Sequence, residues 1–286
     1  MKKRKQKDFR SYVNIWYVLI PFLYLVFVYI APLVKMLYMS FFEFQGVGKP
    51  LGAFTLENYS KFITNAFYWK VLGMTVLLSF ISTLLCVAVG YPVAYCIARA
   101  EAKKKSILTT LVVLPLWVSI TIRMYGWMSI FSGGSLMGTY AGVLIGLVHC
   151  GLPYIIMILI GPIENIESSL EEASYVFGAG FLKTFFTITI PLTFKGILSG
   201  ALLVFALNTA AFMVPVMLGS GKITLMTNLV YQQSMFVYDW GFAAAISVIF
   251  LITALVITNL GHLIERMPEK KDRKKGELDE TVEISR

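Results

Sequence analysis

The sequence predicts an all-α polytopic membrane protein of six transmembrane helices with both termini on the cytoplasmic side. Three observations predict it. The chain has 286 residues, of which 57% are apolar and only 14% charged, and its mean hydropathy is +0.73. A soluble domain carries about 25% charged residues. Its apolar content is therefore too high for an ordinary cytosolic enzyme or a disordered chain. Uncharged stretches run over 11–34, 71–98, 106–122, 124–163, 196–221 and 240–264, against the roughly 20 apolar residues that a bilayer-crossing helix needs. Finally, 19 of the 25 lysines and arginines fall in alternate connections and the two ends.

The spans are placed in order at 14–40, 70–98, 107–131, 138–161, 192–219 and 241–264. The first follows MKKRKQKDFR and is too long for a signal-peptide core, so it reads as an uncleaved span. The 124–163 stretch is twice the length of one span. Ser132-Gly133-Gly134-Ser135 is a turn signal inside it, so the third span ends near Ser132 and the fourth begins near Gly138. Pro21, Pro32, Pro92, Pro115, Pro153 and Pro215 mark kinks. The basic segment 1–13, the Arg99–Ser106 turn, the 162–191 loop and the tail 265–286 share the basic excess, which places them in the cytoplasm. The tail from Pro268 is charged, lacks an apolar period and is expected to be disordered. Outside, Phe62, Ile63 and Phe67 can share one face of a short interfacial helix within 41–70. Basic residues dispersed over short loops serve topology and make no nucleic-acid surface. Cys86, Cys96 and Cys150 sit in apolar runs and read as buried small hydrophobes.

The loop between spans four and five is different in kind. Ser169 and Glu172 have capping-box spacing, so a helix is expected from there to Phe177, where Gly178 can adopt positive φ and end it. A second short helix leads to Pro191, which opens span five. The first helix offers Glu171, Glu172, Tyr175, Val176 and Phe177, a mixed polar and aromatic surface suited to docking a soluble partner.

The order Glu172-Ala173-Ser174, Gly178, Ile188, Ile190-Pro191, at fixed offsets, resembles the EAA loop of permease subunits of binding-protein-dependent ABC importers. Ser174 stands where Ala is usual and Ile190 where Leu is usual. Gly90–Tyr95, Leu114–Trp127, Phe212–Gly219 and Leu229–Gln233 resemble the spermidine/putrescine branch, and Phe54–Tyr59 resembles the family's external segment. Related branches for opines, amino-acid derivatives and anions share much of this pattern. The resemblance implies a type I ABC importer permease fold in a bacterial inner membrane. It implies a second homologous permease, two ATPase subunits, an extracytoplasmic binding protein and no cofactor. Glu171, Glu172, Ala173, Ser174, Val176, Phe177, Gly178 and Pro191 would then form the ATPase-coupling element. No Gly-x4-Gly-Lys-Ser/Thr sequence occurs, so hydrolysis belongs to a partner.

Charge inside a span is costly and usually functional. Arg123 in span three is the clear case. It either lines the cavity or is structural, satisfied by backbone carbonyls or Asn208. No acid lies clearly within a span. A cation would then be held on aromatic faces, for which Trp117, Tyr125, Trp127, Phe205 and Phe212 are candidates. The alternative for these rings is packing or an interfacial belt. Asp239 beside Trp240 at the outer edge of span six is a candidate gate or binding-protein contact. His149 reads as a packing residue. A secondary transporter would often need intramembrane acids or His for ion coupling. An intramembrane enzyme would need a catalytic constellation in the spans. The sequence places no acid clearly within a span, its His149 reads as packing, and no such constellation is present.

Overall fold

The computed structural model describes residues 15–46 and 52–284, with side chains over 19–46 and 52–263. The basic segment 1–13 lies outside the described residues. The elements are α1 (Ile15–Met39), α2 (Glu57–Thr64), α3 (Ala66–Ala98), α4 (Ala102–Trp117), α5 (Ile120–Phe131), α6 (Tyr140–Glu164), α7 (Ser168–Val176), α8 (Phe181–Thr184), a π-turn (Phe185–Thr189), α9 (Ile190–Thr209), α10 (Met213–Leu218), α11 (Met226–Gln232), a second π-turn (Gln233–Val237) and α12 (Trp240–Ile284). Leu19–Met39, Ala66–Ala98, Tyr140–Glu164, Phe181–Thr209 and Trp240–Leu263 are each long and apolar enough to cross a bilayer, and α4 with α5 are so only when taken together as a bent pair.

The described residues divide into two compact units. One holds the residues up to Thr64 with Gln232–Ile249, the other Asn65–Tyr231 with those from Phe250 onward.

In the larger unit α3, α6 and α9 build a shared core. Cys86, Tyr91, Ala94 and Ile97 of α3 meet Ile155, Ile156, Leu159, Ile160 and Ile163 of α6 and Val204 of α9. Close approach is what permits this packing. A methyl group at Gly90 would stand 2.6 Å from Ile155 Cγ2, and one at Gly200 2.7 Å from Ile155 Cδ1. Small residues at such crossings bring membrane helices together where no hydrophobic driving force exists between them. A second cluster joins Leu78, Met124, Phe131, Val143, Leu147, Val214 and Leu218.

In the smaller unit Asn58 of α2 donates to the carbonyls of Ser40 (3.0 Å) and Phe42 (2.9 Å), and Phe42 forms an isolated antiparallel bridge with Phe54.

Three expectations about the helices change, and Cys96, read as buried, is exposed. The third span is broken, with α4 and α5 meeting at 92°. Pro115 removes a hydrogen bond from the last turn of α4, and Val118 and Ser119 are extended (ψ 131° and 138°), which a kink alone does not produce. Span five begins upstream of Pro191. The helical run starts at Phe181 and passes through that proline, because the π-turn before it carries the Ile190 N–H back to the Phe185 carbonyl. The external helix α2 ends at Thr64. Asn65 then caps α3 by accepting from the Phe67 N–H at 2.9 Å, so Phe67 belongs to another helix, and Phe62 is buried while Ile63 is exposed. The backbone of α12 is helical to Ile284.

Candidate functional site

Helix α7 connects the end of α6 to the start of the Phe181 helical run. Its N-cap lies two residues before the one the capping-box spacing implies. Glu167 is the N-cap residue, and Ser169, already inside the helix, donates to the Glu167 carboxylate at 3.2 Å. Its end is as read. Gly178 has φ +80°, its N–H reaches the Tyr175 carbonyl at 2.9 Å, and the Ala179 N–H reaches that of Ser174 at 3.1 Å. These two bonds form a Schellman motif, which needs a left-handed residue at this place.

The motif residues separate onto two faces. Glu172, Ala173, Val176 and Phe177 are exposed, Val176 and Phe177 to 86% and 89%. Two large apolar side chains so exposed leave an open apolar end on this short helix. Glu171 is turned the other way. It is buried, its Oε1 lies 3.1 Å from Arg99 Nη2, and the same oxygen accepts from Thr189 Oγ1 at 3.0 Å. Its expected place on the docking face is therefore corrected. Successive helical residues point about 100° apart, so Glu171 and Glu172 cannot share one outward direction. Ser174 Oγ pairs with Thr184 Oγ1 at 2.9 Å. Pro191 lies within the Phe181–Thr209 span rather than at its opening.

Residues that the sequence reading passed over hold this arrangement. Arg99 counted there only as a topogenic charge, yet its Nη1 also donates to the Ile166 carbonyl at 3.2 Å. Tyr91 OH and Thr193 Oγ1 are 2.6 Å apart, joining α3 to α9. Lys105 forms an ion pair with Glu164. A basic residue at the end of a span, facing an acid beside the motif, was the available signal.

The substrate-path candidates scatter. Trp117 ends α4 at the helix break and is 85% exposed; Tyr125 on α5 is 61% exposed. Arg123 is half-buried, and its buried Nε and Nη1 have no acceptor among the described residues. Asn208 accepts from neither of these atoms, and its Nδ2 donates to Ser82 Oγ at 2.8 Å. Trp127 packs on Phe131 and His149 with ring centroids 5.2 and 5.7 Å apart. Phe205 is buried, and Phe212 packs on Tyr231 at 4.9 Å. These three rings are thus in contact with or buried among other side chains of the larger unit.

In the smaller unit Asp239 caps α12, accepting from the Phe242 N–H at 2.9 Å, and its other oxygen faces Lys61 Nζ at 3.9 Å. The adjoining Trp240 is half exposed.

Residues 90–268 match the family model described as binding-protein-dependent transport system inner membrane component. The chain is 32% identical over 259 residues to the spermidine/putrescine transport system permease protein PotB of Haemophilus influenzae, covering 84% of this chain and 90% of that one. It is 33% identical over 243 residues to PotB of Escherichia coli K12, covering 79% and 86%. A solved bacterial alginate ABC transporter, in complex with its pentasaccharide-bound periplasmic protein, has a chain of the same fold. It superposes with a TM-score of 0.71 at 17% identity over 92% of this chain and 98% of that one. Five helices long and apolar enough to cross a bilayer with a further bent pair, a short helix between two of them in sequence with an open apolar end, and a family match over more than half the length converge: the chain belongs to the multi-pass inner-membrane permease components of binding-protein-dependent ABC importers.

Proposed function

We propose that this chain forms half of the pathway of an ATP-driven importer for a small organic cation, with spermidine and putrescine the leading substrates. The observation that carries the substrate class is the identity of 32–33% to PotB proteins over most of the chain. A second, homologous permease completes the pathway, two ATPase subunits sit on the cytoplasmic face, and an extracytoplasmic binding protein delivers the solute. Both termini and the 162–191 loop face the cytoplasm. The basic excess of those segments supports this orientation.

Helix α7 is the coupling helix. Its exposed Glu172, Ala173, Val176 and Phe177 seat in a groove of one ATPase, and closure of the ATPase pair draws α7 inward. The spans then rock from inward-facing to outward-facing, a rigid-body switch between discrete states. The chain itself performs no covalent chemistry.

The α4–α5 break supports a place for the path. Non-helical backbone at membrane depth is tolerated only where it is buried in protein or lines a water-filled cavity, and α4 buries none of its residues within this chain. Trp117 and Tyr125, flanking the break, offer aromatic faces to an ammonium group at about 0.5–2 kcal/mol each. Such weak holding suffices where affinity resides in the binding protein. An anionic solute is the second reading, favoured by the unsatisfied Arg123 donors.

The test is gentle purification of the tagged chain from its host, followed by ATPase assay of the recovered complex. The expected result is an ATPase and a second permease in the preparation, with hydrolysis stimulated by a spermidine- or putrescine-loaded binding protein. Stimulation only by anion-loaded binding proteins would select the second reading. Recovery of the chain alone would turn the search to ion-driven uptake in vesicles.

A further inference from the structure

We infer that the Arg99–Glu171 ion pair is the link that carries movement of α7 into the membrane bundle, which makes both side chains positioning residues for energy transfer. The inference rests on the reading of α7 as the coupling helix. Glu171 adjoins Glu172 in sequence but is only 7% exposed. One of its oxygens gathers Arg99 Nη2 at 3.1 Å and Thr189 Oγ1 at 3.0 Å. Arg99 is the C-cap residue of α3, and Thr189 closes the π-turn that feeds α9. Arg99 Nη1 also holds the Ile166 carbonyl at 3.2 Å, two residues beyond α6. The Glu171 carboxylate thus ties α7 to the ends of α3 and α9, and Arg99 in turn holds the segment that follows α6, the three helices whose side chains form the shared core.

The rest of the attachment is softer. Without this pair, α7 hangs between the short turns at 165–167 and 177–180, with the Ser174–Thr184 hydrogen bond reaching only α8. An inward pull on such a helix is absorbed by turn dihedrals. With the pair in place, the pull reaches α3 and α9 directly. The contact at Arg99 Nη2 is an ion pair without hydrogen-bond geometry, in which the Glu171 carboxylate is buried and held in place by the Thr189 hydroxyl.

The test uses the whole assembly in vesicles: this chain, its second permease, the ATPase subunits and spermidine-loaded binding protein. Two quantities are read, ATPase retained on the purified complex and spermidine accumulated per ATP hydrolysed. Glu171→Gln and Arg99→Gln should retain ATPase and continue hydrolysis, while uptake per ATP falls about fivefold or more, the lower end of a typical coupling between sites. The exchanged pair Arg99→Glu with Glu171→Arg should transport better than either reversal alone. Thr189→Val keeps the charges paired and should lower the ratio about twofold; it decides the matter if the charge variants do not accumulate in the membrane. An unchanged ratio in Glu171→Gln and Arg99→Gln with ATPase bound overturns the link and leaves the coupling helix standing. A wild-type chain that retains no ATPase overturns both.

Discussion

Asn208 and Ser82 join α9 to α3 through a buried hydrogen bond, Asn208 Nδ2 donating to Ser82 Oγ at 2.8 Å. The Ser82 hydroxyl in turn donates to the Ser79 carbonyl at 3.0 Å. This occupies the one polar side chain of α9 that the sequence offered to the substrate path. Asn208→Ala should therefore cost packing and little transport, about 0.6–1.7 kcal/mol for a hydrogen bond between helices in a bilayer. Thermal unfolding in detergent should shift down a few degrees, with uptake within about twofold. A tenfold loss of uptake at unchanged thermal stability would return Asn208 to the path.

Ile155 is held between Gly90 of α3 and Gly200 of α9. Gly90→Val should overpack this crossing, at roughly 1–3 kcal/mol. Truncating the wedge should relieve the clash, so that Ile155→Ala is less damaging in the Gly90→Val background than in the wild type. The comparison is a double-mutant cycle on melting temperature. Additive effects would show that the two positions do not press on one another.

The carboxylate of Asp239 is committed to the first turn of α12 and to Lys61. Asn is as good an N-cap as Asp, whereas Ala costs about 1 kcal/mol. Lys61 is half exposed, and such pairs contribute about 0–1 kcal/mol. Asp239→Asn should thus keep both stability and uptake, while Asp239→Ala lowers the melting temperature. If Asp239→Asn were to abolish uptake in a stably folded protein, the charge itself would be a gate or a binding-protein contact.

The outer end of α7 separates docking from folding. Gly178→Pro cannot take the left-handed conformation observed at φ +80° and removes the N–H that reaches Tyr175. Glu172→Lys reverses a charge on the exposed face. Both should leave the chain in the membrane and abolish ATP-driven uptake, with the ATPase lost on purification. Normal uptake by either variant at wild-type abundance would remove α7 from the interface.

Much of the fold was legible because a bilayer enforces it. Apolar runs of about 20 residues, interrupted by basic turns, have few other arrangements available. The turn before Tyr140 was readable for the same local reason: Gly138 has φ +71°, and Thr139 caps α6 by accepting from Gly142. Tertiary direction was not legible. Neighbouring residues of a helix point about 100° apart, and which of the two directions is packed depends on Arg99 and Thr189 from distant parts of the chain, so Glu171 could not be told from Glu172. Pro115 announced a kink, but a 92° break also needs the extended backbone of Val118 and Ser119, and neither residue type demands it. The π-turn ahead of Pro191 has no sequence signature of its own. The rings of Trp127, Phe205 and Phe212 looked like those of Trp117 and Tyr125, and only burial distinguishes them.

Trp117 is the sharpest test of the path, because it ends α4 at the break with 85% of its surface open. If its ring receives an ammonium group, the ring matters and the indole N–H does not. Trp117→Phe should then retain most spermidine uptake, whereas Trp117→Ala should lose about 2- to 30-fold, the range that corresponds to ~0.5–2 kcal/mol. Arg123→Ala separates the two substrate classes in the same assay. A guanidinium near a cation path repels its cargo, so removing it should leave spermidine uptake equal or higher. In an anion path the same change removes the main attraction, and uptake should collapse. Loss of spermidine uptake on Arg123→Ala in a stably folded complex would contradict the repulsion argument and give Arg123 a structural role at the break.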